Sequence, residues 1–257
     1  MIAHSDIKES FQMKFLALFI KEPILKKVIY DIFQYGTAYV VGGYFRDFLN
    51  NKDSRDVDII VDIKDIKLID IIQRTGCKYY QNRHKGIKLD LGGITVDLWS
   101  LENNWAFKNG LVKLNDNDKL KSIAKGCFFN YDALVINLKD YKYNAEFYLD
   151  FQNNGILDIL QKTNRYKNLN PTPEANIVRA FYIKEKYNIK FSENLIKYIV
   201  LKTIALTDRY KDGLLRILNV KENYEKYQDL DNVKLIRDII FLVDESKKTT
   251  NKLFLDL

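Results

Sequence analysis

The residues best suited to chemistry in this 257-residue chain are three aspartates and a pair of glycines. Asp56 and Asp58 flank Val57 in a run that continues Ile59, Ile60, Val61. In an extended strand, residues two apart point to one face, so two carboxylates stand side by side while Val57 turns away. Two adjacent negative charges repel, and a bound cation resolves such a pair. Upstream, the apolar stretch Tyr39 to Val41 runs into Gly42 and Gly43, and a short helix then carries Arg46 and Asp47. Glycines let backbone N–H groups approach phosphate oxygens with no Cβ in the way, and a helix offers its positive N-terminus to the same anion. Asp97, in the alternating run Ile94 to Trp99, lies on the face opposite Val96 and adds a third strand-borne carboxylate. This oxygen-only donor set suits Mg²⁺, which often shares one or two carboxylates with substrate phosphates. Two such ions can activate an attacking hydroxyl and stabilise a leaving pyrophosphate. Taken singly, each feature has a plainer reading: a solvated strand edge, an ordinary turn, a hairpin surface residue. Their order and spacing together point to divalent ions held against a triphosphate.

The elements that must position these groups follow from periodicity and punctuation. Phe11, Phe15, Leu18 and Phe19 repeat at helical spacing, and Pro23 suits the first turn of a second helix whose apolar face runs from Ile24 to Phe33 before Gly36 ends it. Ile63 to Arg74 reads as a helix closed by Gly76, and Lys85 to Leu98 as a hairpin around Gly92 and Gly93. Leu101 to Gly126 is polar and broken by Asn-rich turns, which predicts loops with short elements, while Phe128 to Leu138 is too short and apolar to assign. Asn153, Asn154 and Gly155 mark a break, and from there the pattern is helical: Pro173 opens a helix to about Lys186, Ser192 caps another, and Asp208 to Leu218 and Val233 to Val243 follow. The expected architecture is α+β, with a mixed-sheet domain over 1–150 followed by a helical domain over 151–257, joined near Asp150 to Thr172.

Composition narrows the class. The longest apolar runs fall far short of the ~20 residues a membrane span requires, and no secretory leader pattern is present, so the expectation is a cytoplasmic protein. Cys77 and Cys127, with two histidines in the chain, suggest two reduced buried thiols, neither a disulfide framework nor a zinc site. The formal net charge of +7 is uneven, with the larger share after Asp150, which makes the second domain the better candidate for a polyanion-binding surface. Trp99 is expected in the core by strand alternation; Trp105 and Phe107, in a polar region, are candidates to stack a base, as is Trp99 if it is exposed.

The run YVVGGYFRDFLNN followed by SRDVDIIV resembles the signature VGGxVRDxLLG…DxDxVT of the class II tRNA nucleotidyltransferase and bacterial poly(A) polymerase family, within the polymerase-β-like nucleotidyltransferases. The resemblance implies a head domain that holds triphosphate and metals, followed by a helical neck and body. It implies that Asp56 and Asp58 bind Mg²⁺, that Gly42 and Gly43 hold the triphosphate of an NTP with Arg46 and Asp47 assisting, and that Asp97 is a third ligand and a possible general base. Ile177 to Phe181 resembles the neck helix, which implies a place near the nucleotide for Arg179. Asp208, Arg209 and the run Leu214 to Leu218 resemble a later body helix. Lys162, Arg165, Lys167, Lys184, Lys186, Arg209 and Lys211 are candidates for RNA phosphate contacts. Two segments depart from the family: Gly126 to Leu134 stands where RRDFTINAL is expected, and Thr172 to Asn176 where the base-selecting EDxxR is expected. The resemblance implies transfer of NMP to an RNA 3′ hydroxyl, most simply that of tRNA, with the base left open. A protein or small-molecule acceptor, or a non-catalytic RNA-binding relative, are the alternatives.

Overall fold

The computed structural model describes residues 4–82, 85–161 and 173–255, and the chain divides into two compact units, 1–150 and 151–257. The fold is α+β. In the first unit, α1 (His4–Lys21) and α2 (Pro23–Phe33) precede β1 (Ala38–Val41), α3 (Gly43–Leu49) and β2 (Asp56–Val61). Then come α4 (Asp65–Thr75), β3 (Tyr79–Gln81), β4 (Ile87–Asp90), β5 (Thr95–Ser100), α5 (Trp105–Lys108), α6 (Lys119–Lys125), β6 (Val135–Asn137) and β7 (Tyr143–Asn144). α7 (Glu146–Asn154) carries the chain from one unit into the other.

The seven strands form one sheet in the order β3-β4-β5-β2-β1-β6-β7, antiparallel throughout except for the parallel pair β2 and β5. Alternation along the strands separates the two faces. Val57 and Ile59 on β2, Val96 and Leu98 on β5, and Ile87 and Leu89 on β4 are fully buried, and each such side chain contributes ~1.5–3 kcal/mol by leaving water. Asp58, Asp97 and Trp99 lie on the opposite, half-open face. Trp99 therefore departs from the core position that alternation suggested: its indole lies over Gly86, where a Cβ would come within 2.5 Å of the ring.

Local punctuation works as the sequence implies. Pro23 opens α2, whose Leu25, Val28, Ile29 and Ile32 face inward, and Gly76 ends α4 in a left-handed conformation, φ 69°. Phe11 and Phe15 of α1 pack on Tyr44 of α3, and Phe11 also meets Phe45 and Phe48 with centroids 5.2 and 5.1 Å away. This aromatic cluster holds the helix that carries Arg46. The stretch left unassigned, Phe128 to Leu138, is a 3₁₀ turn over Asn130–Asp132 and then β6. Cys77 and Cys127 form no disulfide and are half-buried.

The second unit contains α8 (Pro173–Tyr187), α9 (Glu193–Arg209), α10 (Gly213–Glu222) and α11 (Asn232–Leu255). It is not helical throughout, because β8 (Ile156–Leu157) and β9 (Lys190–Phe191) form a short parallel ladder. Ser192 caps α9 by accepting from the Leu195 N–H at 3.1 Å, and its hydroxyl donates to Asp158.

Candidate active site

The carboxylates are brought together by one registration. β2 and β5 run parallel with Asp58 opposite Asp97 and Asp56 opposite Thr95. Directly paired residues share a face, so Asp58 and Asp97 stand side by side with Asp56 one pleat away. On the other flank of β2, Asp58 is opposite Val41, the last residue of the strand that leads into the glycine turn. Three stretches far apart in sequence thus meet at one end of one sheet face.

Charge and burial distinguish the three. Asp56 is exposed, whereas Asp58 and Asp97 are half-buried. Burial pushes the Asp97 carboxyl above its ordinary value, the Lys88 ammonium pulls it back, and the Asp56 charge adds to the upward shift. Lys88 was not singled out in the sequence, yet it lies directly opposite Asp97 on β4. Its signal was present in the alternation Ile87-Lys88-Leu89-Asp90, which puts Lys88 on the open face. Among the described residues no three His, Cys, Asp or Glu side chains converge as a ready-made metal cage. A pair of neighbouring carboxylates with a third beside them does fit an ion that takes the rest of its oxygen shell from water and phosphates, as Mg²⁺ commonly does.

The glycine turn is tightly built. Gly42 has φ 68° and ψ −124°, a conformation that excludes side chains, and its N–H donates to the Leu134 carbonyl at 2.9 Å. That amide is committed to the chain, which leaves the N–H groups of the first turn of α3, from Gly43 onward, as the candidates to meet an anion. Arg46, expected to assist at the phosphates, is itself enclosed. Its Nη1 donates to Asp132 Oδ1 at 2.8 Å, its Nη2 meets Asp47 Oδ1 at 3.3 Å, and its guanidinium lies over the Tyr131 ring, 4.2 Å from the centroid. Asp47 also accepts from the Ser54 hydroxyl at 3.1 Å. It therefore ties α3 to the loop that feeds Asp56 into β2, a positioning role. Asp132 and Tyr131 belong to the segment Gly126 to Leu134, expected to depart from the family it resembles, and sequence reasoning missed both because they are 86 and 85 residues from their partner.

The aromatic candidates separate. Trp99 shares the open face with Asp97, two residues farther along β5. Trp105 is half-buried with its ring 6.3 Å from Phe128. Phe107 lines a separate concavity of about 530 Å³ with Tyr35, Asp62, Lys64 and Lys67. That space lies beyond the far end of β2 and includes none of the three carboxylates.

In the second unit, Arg179 is half-buried on α8. Lys186 is exposed and donates to the Tyr182 hydroxyl at 2.8 Å, Lys184 lies 5.2 Å from the Phe191 ring, and Arg209 and Lys211 are exposed. Lys162, Arg165 and Lys167 lie outside the described residues, as does Thr172 at the start of the expected base-selecting segment. Glu174 of that segment pairs with Arg216 Nε at 3.6 Å, and the Arg216 guanidinium sits 4.0 Å from the Tyr210 centroid.

Residues 38–163 match the family model of the poly A polymerase head domain. The A-adding tRNA nucleotidyltransferase of Aquifex aeolicus is 26% identical over 218 residues, which is 76% of this chain and 25% of that protein. A Thermotoga maritima CCA-adding enzyme complexed with tRNA superposes with a TM-score of 0.58 at 19% identity, covering 89% of this chain and 51% of that one. The structure of a CCA-adding enzyme with ATP gives 0.57 at 18% identity, with the same two coverages. These structural likenesses establish the fold. The chain spans a quarter of the length of the A-adding relative and about half that of the two structures. No described helix is long and apolar enough to cross a membrane.

Proposed function

We propose, from the match of residues 38–163 to the family model of the poly A polymerase head domain, that this chain is a divalent-metal-dependent nucleotidyltransferase that moves NMP from an NTP to an RNA 3′ hydroxyl, releasing pyrophosphate. The observation that carries the reading is the registration of Asp58 against Asp97 with the Gly42 turn on the neighbouring strand. A tRNA 3′ end is the simplest acceptor, because the A-adding relative is a tRNA nucleotidyltransferase and a CCA-adding enzyme of similar fold is complexed with tRNA.

In this reading Asp56 and Asp58 are the carboxylates that would hold Mg²⁺, with Asp97 as the third. When bound, the ion supplies Lewis-acid polarisation of the phosphoryl oxygens and offsets charge on the pyrophosphate. The amides at the start of α3 approach the triphosphate past Gly43, which carries no side chain to obstruct them. Asp97 accepts the proton of the acceptor hydroxyl as it attacks the α-phosphorus; its raised proton affinity in the metal-free protein suits that task. The P–O bond to the β-phosphate breaks as the new phosphodiester forms. Arg46, fixed between Asp132 and Asp47, keeps the turn and the metal strand in register. Arg179 and the cations Lys184, Lys186, Arg209 and Lys211 are proposed to meet nucleotide and RNA phosphates.

Replacement of the two recognition segments favours one alternative within the same chemistry: an acceptor other than RNA. Incubating the protein with each labelled NTP, Mg²⁺ and either total RNA or a protein extract separates the two. Label entering RNA supports the proposal, label entering protein or a small molecule supports the alternative, and no label in any acceptor contradicts both.

A further inference from the structure

The open face of the sheet does not end at the carboxylates. Asp97 on β5 is opposite Lys88 on β4, and Lys88 is opposite Tyr80 on the edge strand β3. One transverse row therefore reads Asp58, Asp97, Lys88, Tyr80 on a single face. Lys88 is exposed, and Tyr80 has 66% of its surface in water. The neighbours of Lys88 on β4, Ile87 and Leu89, are fully buried on the other side of the sheet. Tyr80 thus adds little to the core, and its ring is available on the same face as the site.

We propose that this row is a landing platform for the 3′ end of a single-stranded nucleic acid, with the penultimate base stacked on Tyr80, the adjoining phosphate against Lys88, and the terminal hydroxyl delivered to Asp97. The inference rests on the nucleotidyl-transfer reading above and deepens it by naming the surface that receives the acceptor. Three features carry it. Strands lie about 4.8 Å apart, so two strand spacings separate Asp97 from Tyr80 by about 10 Å. A terminal nucleotide with its phosphate and the next base fits that span. A cation between carboxylates and an aromatic ring complements a phosphodiester, because an approaching phosphate would otherwise meet the carboxylates Asp56, Asp58, Asp90 and Asp97 on that face. Stacking on an aromatic ring tolerates any base, since every base has a π-face, and is worth about five- to 150-fold in affinity.

A short single-stranded RNA carrying 2-aminopurine as its penultimate base, titrated with the full chain, tests the platform without requiring turnover. The wild type quenches the fluorophore on binding. Tyr80→Ala abolishes the quench and weakens binding at least about fivefold, while Tyr80→Phe keeps both. Lys88→Met keeps the quench but lowers the slope of log affinity against log salt by about one. The exposure of both side chains leaves the Tm of these variants unchanged. No quench in the wild type, or an undiminished quench in Tyr80→Ala, overturns the inference. Labelled-NTP transfer, run in parallel, separates it from the reading beneath it. A wild type that transfers no label yet loses its quench in Tyr80→Ala keeps the platform and removes the transfer reading. A wild type that transfers, with quench and acceptor KM both unmoved by Tyr80→Ala, removes the platform alone.

Discussion

Removing the Asp132 carboxylate should destabilise the first unit through Arg46. The Nη1 to Oδ1 contact is 2.8 Å, and the two side chains retain 12% and 17% of their exposure. Removing one partner of a fully buried pair costs about 3–5 kcal/mol, because the other charge is left without compensation. Here Asp47 at 3.3 Å and the Tyr131 ring at 4.2 Å continue to neutralise the guanidinium, so the expected loss for Asp132→Ala is about 2 kcal/mol. For a unit of this size that is a fall in Tm of roughly 4–8 °C. Asp132→Asn retains an acceptor oxygen and should lose about half as much. Both tryptophans, Trp99 and Trp105, lie in the first unit, so urea unfolding followed by their fluorescence reports on the unit that contains the pair. A double-mutant cycle with Arg46→Met isolates the interaction. Coupling of about 2 kcal/mol is expected, and additivity within about 0.3–0.5 kcal/mol would refute the claim that Asp132 holds Arg46.

Two other substitutions test the site itself. Gly42→Ala places a side chain at φ 68°, ψ −124°, where the nearest atom to the new Cβ is the Asp132 carbonyl oxygen at 3.7 Å. The cost is therefore backbone strain alone, about 1–3 kcal/mol by thermal unfolding, and NTP affinity should fall with it; an unchanged Tm would mean that the turn relaxes freely. Asp97 has a folded-state proton affinity above its unfolded value. Its ionisation is therefore harder in the fold, and whatever stability it contributes is present below the unfolded pKa and lost as pH rises through the folded one. Asp97→Asn should raise the Tm of the metal-free protein at pH 7, with the advantage shrinking as pH falls through the raised folded-state pKa and gone by about pH 4; a lower Tm at pH 7 would make Asp97 a structural hydrogen-bonding residue.

Much of the first unit was legible because its punctuation is chemically forced. Pro23, Gly76 and the glycines of the β4–β5 hairpin act where their backbone preferences dictate, and the alternation of Asp56, Val57 and Asp58 fixed two carboxylates on one face. The strand order was not legible. That β5 lies parallel to β2, so that Asp97 faces Asp58 and not Asp56, depends on packing of the whole sheet. The three-residue strands β3 and β6 are too short for a period to emerge, which hid the row through Tyr80 and Lys88. Trp99 followed alternation correctly, but the face it was assigned to is the open one. Asp132 and Tyr131 were invisible as partners of Arg46 because an ion pair across more than 80 residues leaves no local pattern. In the second unit, Ser192 was readable as a cap from its type and position, whereas a two-residue ladder such as β8–β9 carries no sequence signal.

The proposed role of Asp58 and its neighbours, holding a divalent ion for nucleotidyl transfer, rests on their registration across β2 and β5. Its most direct test is incorporation of label from each of the four NTPs into total RNA, with and without Mg²⁺, by the wild type and by Asp58→Asn. Mg²⁺-dependent labelling of an RNA 3′ end is expected from the wild type, with a loss of at least about a thousandfold in Asp58→Asn, which is about 4 kcal/mol of transition-state stabilisation. Transfer that survives in Asp58→Asn, or proceeds equally without divalent ions, would contradict it.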